Sequence, residues 1–122
     1  MSKEHLELGK RGEALAVKTL KKMGYRALVS NYRCALGEID LVARDGDTLV
    51  FVEIKTRRHR SLGYAKEAVH PRKQRQLSKA ALTYMKQNRC ENMRARFDVV
   101  AVNFTSQGPD IEVIRNAFEL AY

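Results

Sequence analysis

Two acidic residues and a lysine occupy positions in this sequence that suit metal-ion chemistry. Asp40 precedes Glu53 by 13 positions, and Lys55 follows Glu53 by two. The apolar run Leu49–Val52 and a glycine-bearing acidic turn at 45–47 lie between the two acids, a pattern typical of a β-hairpin. If residues whose numbers sum to 93 pair in this hairpin, Asp40 lies opposite Glu53. Lys55 then shares a face with Glu53, because alternate residues of a strand point the same way.

Opposed carboxylates on a sheet need an explanation. At a separation of about 5 Å and an effective dielectric constant of about 20, two such charges repel by roughly 3 kcal/mol, and like charges directly opposite are destabilising. A hard divalent cation removes the repulsion, and a neighbouring lysine can then hold a nucleophilic water or a developing anion. The alternative is that both acids are solvated or paired with arginines on an open sheet face. Charges directly after an apolar strand are costly unless paired or metal-bound, which favours the metal site.

The distribution of charge indicates a polyanionic partner. The chain has 122 residues and a formal net charge of +9, and residues 55–96 hold 13 Lys and Arg against two acidic residues. A basic half beside an acidic hairpin is typical of a protein that brings a polyanion to a metal site. A basic surface that has no partner is the alternative.

Composition predicts one globular domain over residues 1–122, because the chain is 44% hydrophobic and long enough for a single core. Cys34 and Cys90 are too few and too far apart for a disulfide scaffold or a zinc site, so reduced thiols in a cytoplasmic protein are expected. The first residues have no apolar signal region, and no apolar run is long enough to span a membrane. We therefore expect a cytoplasmic location.

The periodicity predicts an α/β protein with a mixed central sheet flanked by helices. The strand–helix–strand run from 48 to 104 predicts a right-handed crossover, and therefore a parallel strand pair. The predicted helices cover 5–23 and 71–88, and the predicted strands cover 25–32, 38–44, 48–56, 95–104 and 110–114.

Further candidate residues lie on the helices and in a basic loop. Glu13 falls in the middle of the apolar stripe of the first helix, where a carboxylate needs a partner, either a salt bridge or the metal site. The apolar stripe of that helix is predicted to comprise Leu6, Gly9, Ala16, Val17, Leu20 and Met23. Lys73 and Gln74 flank the apolar stripe of the second helix near its start, where they can reach a site. Phosphate-contacting candidates in the loop after the hairpin are Arg57, Arg58 and Arg60.

With these motifs in this order, the chain resembles the PD-(D/E)XK nuclease superfamily, which has the restriction-endonuclease-like fold. Within it the chain is most similar to the bacterial YraN-type family, related in architecture to archaeal Holliday-junction resolvases. The resemblance covers nearly the whole chain. It is carried by GKRGEALAVKTLKKMGY (9–25), GEIDLVARDGDTLVFVEIKTR (37–57), HPRKQRQLSKAALTYM (70–85) and RFDVVAV (96–102).

The resemblance implies a role for each matching residue. Asp40 and Glu53 would ligate Mg²⁺ or Mn²⁺ with the backbone carbonyl of Ile54, and Lys55 would orient or activate the attacking water. Glu13 would match the additional acid that resolvase-like members carry on their first helix. Lys73 or Gln74 would match the polar residue that many members present from the following helix. Asp40 follows isoleucine where the superfamily motif has proline, a departure that many members share.

The leading hypothesis from the sequence is a Mg²⁺-dependent endonuclease that acts on DNA, including branched or otherwise structured DNA. Resolvases of this fold generally work as dimers, so a homodimer is one expectation, although the residues leave the oligomeric state open. One alternative is an accessory protein that binds nucleic acid without turnover. Another is an RNA-directed nuclease, since a basic groove serves DNA and RNA alike.

Overall fold

The computed structural model describes residues 3–58 and 70–119, and the elements in them follow the order that the sequence predicts. The last strand is the main difference in length, because it extends well beyond the predicted 110–114. The elements are α1 (Lys3–Lys22), β1 (Arg26–Cys34), β2 (Gly37–Asp45), β3 (Thr48–Arg57), α2 (Pro71–Gln87), β4 (Arg94–Thr105) and β5 (Gly108–Phe118).

The strands form one mixed sheet in the order β1-β2-β3-β4-β5, which places β3 at the centre. Only the β3–β4 pair among these strands is parallel, so the predicted parallel strand pair is confirmed. The predicted hairpin register is confirmed as well: Leu41 pairs with Val52, and Asp45 pairs with Thr48. The paired ladder of β2 and β3 stops at Leu41, so Asp40 and Glu53 lie directly beyond its end.

Each face of the sheet is covered by one helix. Alternate residues of β3 divide between the two faces, with Phe51 in the cluster beneath α2 and Val52 in the cluster beneath α1. From α2 the first cluster takes Leu77, Ala80, Ala81, Tyr84 and Met85, and from α1 the second takes Ala16 and Leu20. The mixed central sheet flanked by helices is confirmed, and it is consistent with a restriction-endonuclease-like fold.

Local signals set the helix ends. Gly24 has φ +97 and follows α1 in a Schellman arrangement, in which the Tyr25 amide donates to the Leu20 carbonyl and the Gly24 amide to the Lys21 carbonyl. His70 caps α2, because its Nδ1 accepts a hydrogen bond of 3.1 Å from the Arg72 amide. Neither described helix is long and apolar enough to cross a membrane.

The buried line of α1 differs from the predicted stripe. Gly12, Ala16 and Leu20 face the sheet, whereas Leu6 and Met23, both predicted in the stripe, are 52% and 40% exposed. A Cβ on Gly12 would lie 2.9 Å from the Cβ of Thr56, so only glycine lets the helix approach β3 this closely. With Gly12 against the sheet, Glu13 is turned by about 100° from the line of contact. It is half-buried rather than central.

A buried ionic network, which the sequence did not indicate, joins β4 to its neighbours. Asp98 is fully buried and accepts hydrogen bonds from the Tyr25 hydroxyl (2.6 Å) and the backbone amide of Asn116 (2.9 Å). Its carboxylate also pairs with Arg96 Nε at 3.0 Å. Arg96 also pairs with Asp45 at 2.8 Å. One of the 13 cations in the basic segment is therefore neutralised inside the fold and is not offered to a partner.

Candidate functional site

The site begins where the β2–β3 ladder ends. The Asp40 carboxylate reaches towards β3 and accepts a hydrogen bond of 2.7 Å from the Ile54 amide. Burial raises the pKa of Asp40, and the Ile54 hydrogen bond and the charges of Lys73 and Lys55 oppose that rise only in part. The hydrogen bond thus holds one carboxylate oxygen of Asp40 in a desolvated position near the central strand.

Glu53 is the second acid at this end of the central strand. Its side chain is 8% exposed, and burial together with the charge of Asp40 raises its pKa to about 7. The ammonium of Lys55 lies 3.6 Å from Glu53 Oε1, as expected for residues two apart on one strand. Two desolvated carboxylates that repel each other beside a half-buried lysine make a site with a strong preference for added positive charge.

Glu13 approaches Asp40 from α1. Burial raises the pKa of Glu13, and the charges of Asp40 and Glu38 add to that effect. The side chain of Asn31, whose backbone has φ 53, hydrogen-bonds Glu13 and lowers the pKa in part. The sequence did not single out Asn31 or Glu38. Their nearest sequence signals were a lone asparagine within a strand and an acid two residues before Asp40.

The structure does not bring all three predicted carboxylates into one cluster. Within residues 3–58 and 70–119, no group of three or more His, Cys, Asp or Glu side chains is arranged to hold a metal ion. Asp40 acts electrostatically on Glu53 and on Glu13, and is the acid that the two pairs share. The physical reason is the rotation of α1, since Gly12 and not Glu13 meets β3.

The pair formed by Asp40 and Glu53 nevertheless suits a small hard cation. Carboxylate oxygens are the ligands that Mg²⁺ prefers, and Mg²⁺ is commonly held by one or two carboxylates, its remaining positions being filled by water and substrate phosphate. The two carboxylates and their mutual repulsion therefore fit Mg²⁺, the ion that the resemblance implies. Glu13 is an additional negative charge next to the pair.

The second helix contributes Lys73 to the site. Lys73 is half-buried in the first turn of α2, and its charge lowers the pKa of both Asp40 and Glu53. Gln74, the neighbouring candidate, is also half-buried, and its backbone carbonyl accepts a hydrogen bond from the Ser78 hydroxyl. The other basic residues of this helix point outward, since Arg72, Arg75, Lys79 and Lys86 are all exposed.

The predicted basic loop is only partly described. Arg57 is the last residue of β3 and is half-buried, and Arg58 forms an exposed ion pair of 3.5 Å with Glu4 on α1. Arg60 lies outside the described residues.

An open groove of about 800 Å³ leads along α1 to the acids. Asp40, Ile54 and Glu13 line its inner end, and Ser30 and Asn31 line the side formed by β1. The α1 side consists of Lys10, Ala14, Val17, Lys18, Lys21 and Lys22. The sequence did not indicate this groove, although these residues recur at helical spacing beside the buried line of α1.

Fold and site together define a class: an α/β protein with a desolvated acidic pair beside lysines where the β2–β3 ladder ends. Residues 12–102 match the model of the uncharacterised protein family UPF0102, so the chain belongs to that family, which is the YraN-type family of the resemblance. The matched span includes Glu13, Asp40, Glu53 and Lys55.

Three relatives illustrate how fully the chain matches the family. A UPF0102 protein of Geobacter metallireducens is 52% identical over 122 residues, which is 100% of both chains. A UPF0102 protein of Syntrophus aciditrophicus is 51% identical over 119 residues, covering 98% of this chain and 94% of the relative. A UPF0102 protein of Geobacter sulfurreducens is 53% identical over 116 residues, covering 94% and 91%.

Proposed function

We propose that this protein is a metal-dependent phosphodiesterase that cleaves nucleic acid internally, with DNA, including branched DNA, as its substrate. The reaction adds water across one phosphodiester bond. A bond forms between the water oxygen and phosphorus while the bond to the leaving sugar oxygen breaks, which gives a phosphate monoester and a free hydroxyl.

One observation carries the proposal: the half-buried Asp40 and the buried Glu53 lie next to each other, and both have a raised pKa. A fold gains nothing from two desolvated, mutually repelling carboxylates unless a cation joins them. A structural ion pair is a poor explanation for Glu53, since its partner Lys55 is 3.6 Å away and leaves its pKa at about 7. Perturbed acids of this kind are typical of functional sites.

Asp40 and Glu53 would hold Mg²⁺ or Mn²⁺. When bound, such an ion supplies Lewis-acid stabilisation of the charge that develops on the phosphate oxygens. The Ile54 amide keeps the Asp40 carboxylate in place for this role through its 2.7 Å hydrogen bond. Glu13 adds negative charge beside Asp40.

The lysines supply the positive groups for the reaction. Lys55 has a side chain that is 32% exposed, so its ammonium is accessible to a water or a phosphate oxygen while it stays beside Glu53. We assign it the orientation of the attacking water. Lys73 on α2, whose charge acts on both Asp40 and Glu53, would contact the scissile phosphate. Arg57, Arg58 and Arg60 remain candidates for the flanking phosphates.

The test is cleavage of a panel of labelled substrates (linear, nicked, flap and four-way-junction DNA, and single-stranded RNA) with Mg²⁺ or Mn²⁺. We expect wild type to cut at least one DNA and Lys55→Ala to bind Mn²⁺ in calorimetry without cutting. Asp40→Asn should stay folded but lose both Mn²⁺ binding and cleavage. Asp47→Asn, in the exposed hairpin turn, is the matched control and should behave as wild type. If wild type binds neither ion and Asp40→Asn unfolds, the acids are structural and the proposal is wrong.

A nucleic-acid-binding protein without turnover is the second candidate. The observation in its favour is that Glu13 does not join the acidic pair in a three-carboxylate cluster within the described residues. The same panel separates the two functions, because a binding protein would retain the substrates without cutting any of them in either metal.

A further inference from the structure

The groove along α1 has a surface that hydrolysis of a phosphate does not require. Its α1 side follows one helical stripe, because Lys10, Ala14, Val17 and Lys21 recur three or four residues apart. This stripe lies beside the buried line of α1 and faces outward over β1. The helix therefore presents one row of residues to the sheet and an adjacent row to the groove.

The rim of the groove is cationic, and its lysines are accessible to a partner. Lys10, Lys18, Lys21 and Lys22 are all exposed. In the described part of the chain none of these four ammonium groups takes part in an ion pair. Four unpaired cations over a length of about three helical turns suit a polyanion whose charges repeat along a line.

The wall beneath that rim is apolar. Ala14, Val17 and Ile54 line it, and the hydrocarbon stems of the lysines extend it. A duplex keeps its bases stacked inside, so it has no apolar group to place against this wall and is not held in the groove. An unpaired strand can use both surfaces, because a splayed base can lie against an apolar wall while its phosphate meets the rim.

The size of the groove agrees with this occupant. Its volume of about 800 Å³ lies within the roughly 300–1,000 Å³ of pockets that enclose small ligands. That space takes a short stretch of single strand and is too small to enclose a double helix.

The groove is continuous with the acids. Asp40 and Ile54, which form the hydrogen bond at the end of the β2–β3 ladder, line its inner end together with Glu13. A strand held on the lysines of α1 is thus directed with its backbone towards Asp40. The groove therefore has acidic residues at one end and lysines along its α1 side, and this arrangement sets the orientation of a bound strand.

We infer that this groove binds an unpaired nucleic-acid strand, with the phosphates on the four lysines and a base on the wall formed by Ala14, Val17 and Ile54. The inference rests on the proposed function for its place beside the reaction, and it narrows the substrate class to nucleic acids with a single-stranded segment. Branched DNA with an open strand, a flap and single-stranded RNA belong to that class, whereas a continuous duplex does not.

The experiment is fluorescence anisotropy in EDTA, so that binding is measured without metal or cleavage. The probes are a labelled oligothymidylate and a labelled hairpin duplex with the same number of phosphates. The test variant is Lys18→Ala combined with Lys21→Ala. The matched control is Lys79→Ala combined with Lys86→Ala, which removes two exposed lysines from α2 on the other face of the sheet.

For the single strand, we expect the groove variant to flatten the log–log salt slope by about 1.4 and to weaken binding about 25-fold at 0.1 M salt, since each lost phosphate contact contributes about 0.7 to that slope. The α2 control should change single-strand binding less than about threefold, and the groove variant should change duplex binding less than about threefold. Equal losses for single strand and duplex would overturn the inference, as would a loss in the α2 control equal to that in the groove variant. Unchanged single-strand binding in the groove variant would overturn it too.

This result is separable from that of the cleavage panel. Failure of the proposed function appears as binding without cleavage in either metal, and it leaves the anisotropy measurements intact. Failure of the groove inference appears as unchanged single-strand binding in the groove variant. It leaves metal binding at Asp40 and Glu53, and cleavage by the protein, intact.

Discussion

Replacing Glu53 with glutamine should make the metal-free protein more stable at neutral pH and leave its stability nearly unchanged in acid. The carboxyl of Glu53 is buried beside Asp40, which raises its pKa from 4.5 to about 7. Glutamine has nearly the same shape and cannot ionise. The substitution therefore removes the charge and keeps the packing.

The sign and size of the effect follow from proton linkage. Below about pH 4.5 the group is protonated in both the folded and the unfolded chain, so its ionisation has no effect on stability. Between pH 4.5 and 7 the unfolded chain loses the proton first, so the folded state loses stability as the pH rises. The separation of about 2.5 pH units, at 1.36 kcal/mol for each, amounts to about 3 kcal/mol by pH 8.

The measurement is urea unfolding in EDTA from pH 4.5 to 8, with wild type, Glu53→Gln and the control Glu7→Gln. Glu7 lies on the exposed side of α1, so its removal should leave the shape of the pH curve unchanged. The stability of Glu53→Gln relative to wild type should rise by about 3 kcal/mol across this range. Added Mg²⁺ should then stabilise wild type but not Glu53→Gln.

A difference between wild type and Glu53→Gln that stays constant from pH 4.5 to 8 would refute the reasoning. It would mean that Glu53 ionises at an ordinary pKa, and hence that it is solvated or fully compensated by Lys55. Glu53 would then not be a desolvated carboxylate repelled by Asp40, and the main observation behind the metal site would be wrong.

Two further predictions concern the scaffold and are checked by urea unfolding at pH 7. Gly12→Ala should destabilise the protein by about 1–3 kcal/mol, because the new Cβ meets the short, branched Thr56 side chain at 2.7–2.9 Å from its carbons. Gly9→Ala, with nothing within 4 Å, should stabilise it by up to about 1 kcal/mol, and equal effects of the two alanines would contradict the close packing of α1. Asp98→Asn should cost about 1–3 kcal/mol, because Arg96 loses one of its two carboxylate partners and retains only Asp45. Tyr25→Phe should cost about 1–2 kcal/mol. A loss below 1 kcal/mol for Asp98→Asn would show that the network is not a source of stability.

The sequence by itself determined the elements and the acidic pair. The turn at 45–47 fixes the register of β2 and β3, because a short loop leaves no other pairing of the strands. That register places Asp40 and Glu53 together, and strand alternation adds Lys55. The helical periodicity after Pro71 likewise set the buried face of α2 correctly and placed Lys73 beside it. These features depend on residues that are close in sequence, whose geometry local rules describe.

Only the tertiary structure decided how α1 sits on the sheet, and with it the position of Glu13 and the existence of the groove. Periodicity gives a helix an apolar side but not its exact rotation. That rotation is set by the close approach of Gly12 to Thr56, which are 44 residues apart in the chain. The same holds for Asp98, whose partners Tyr25 and Asn116 are 73 and 18 residues away in the chain. Contacts of this kind depend on how whole elements pack, and no local pattern encodes them.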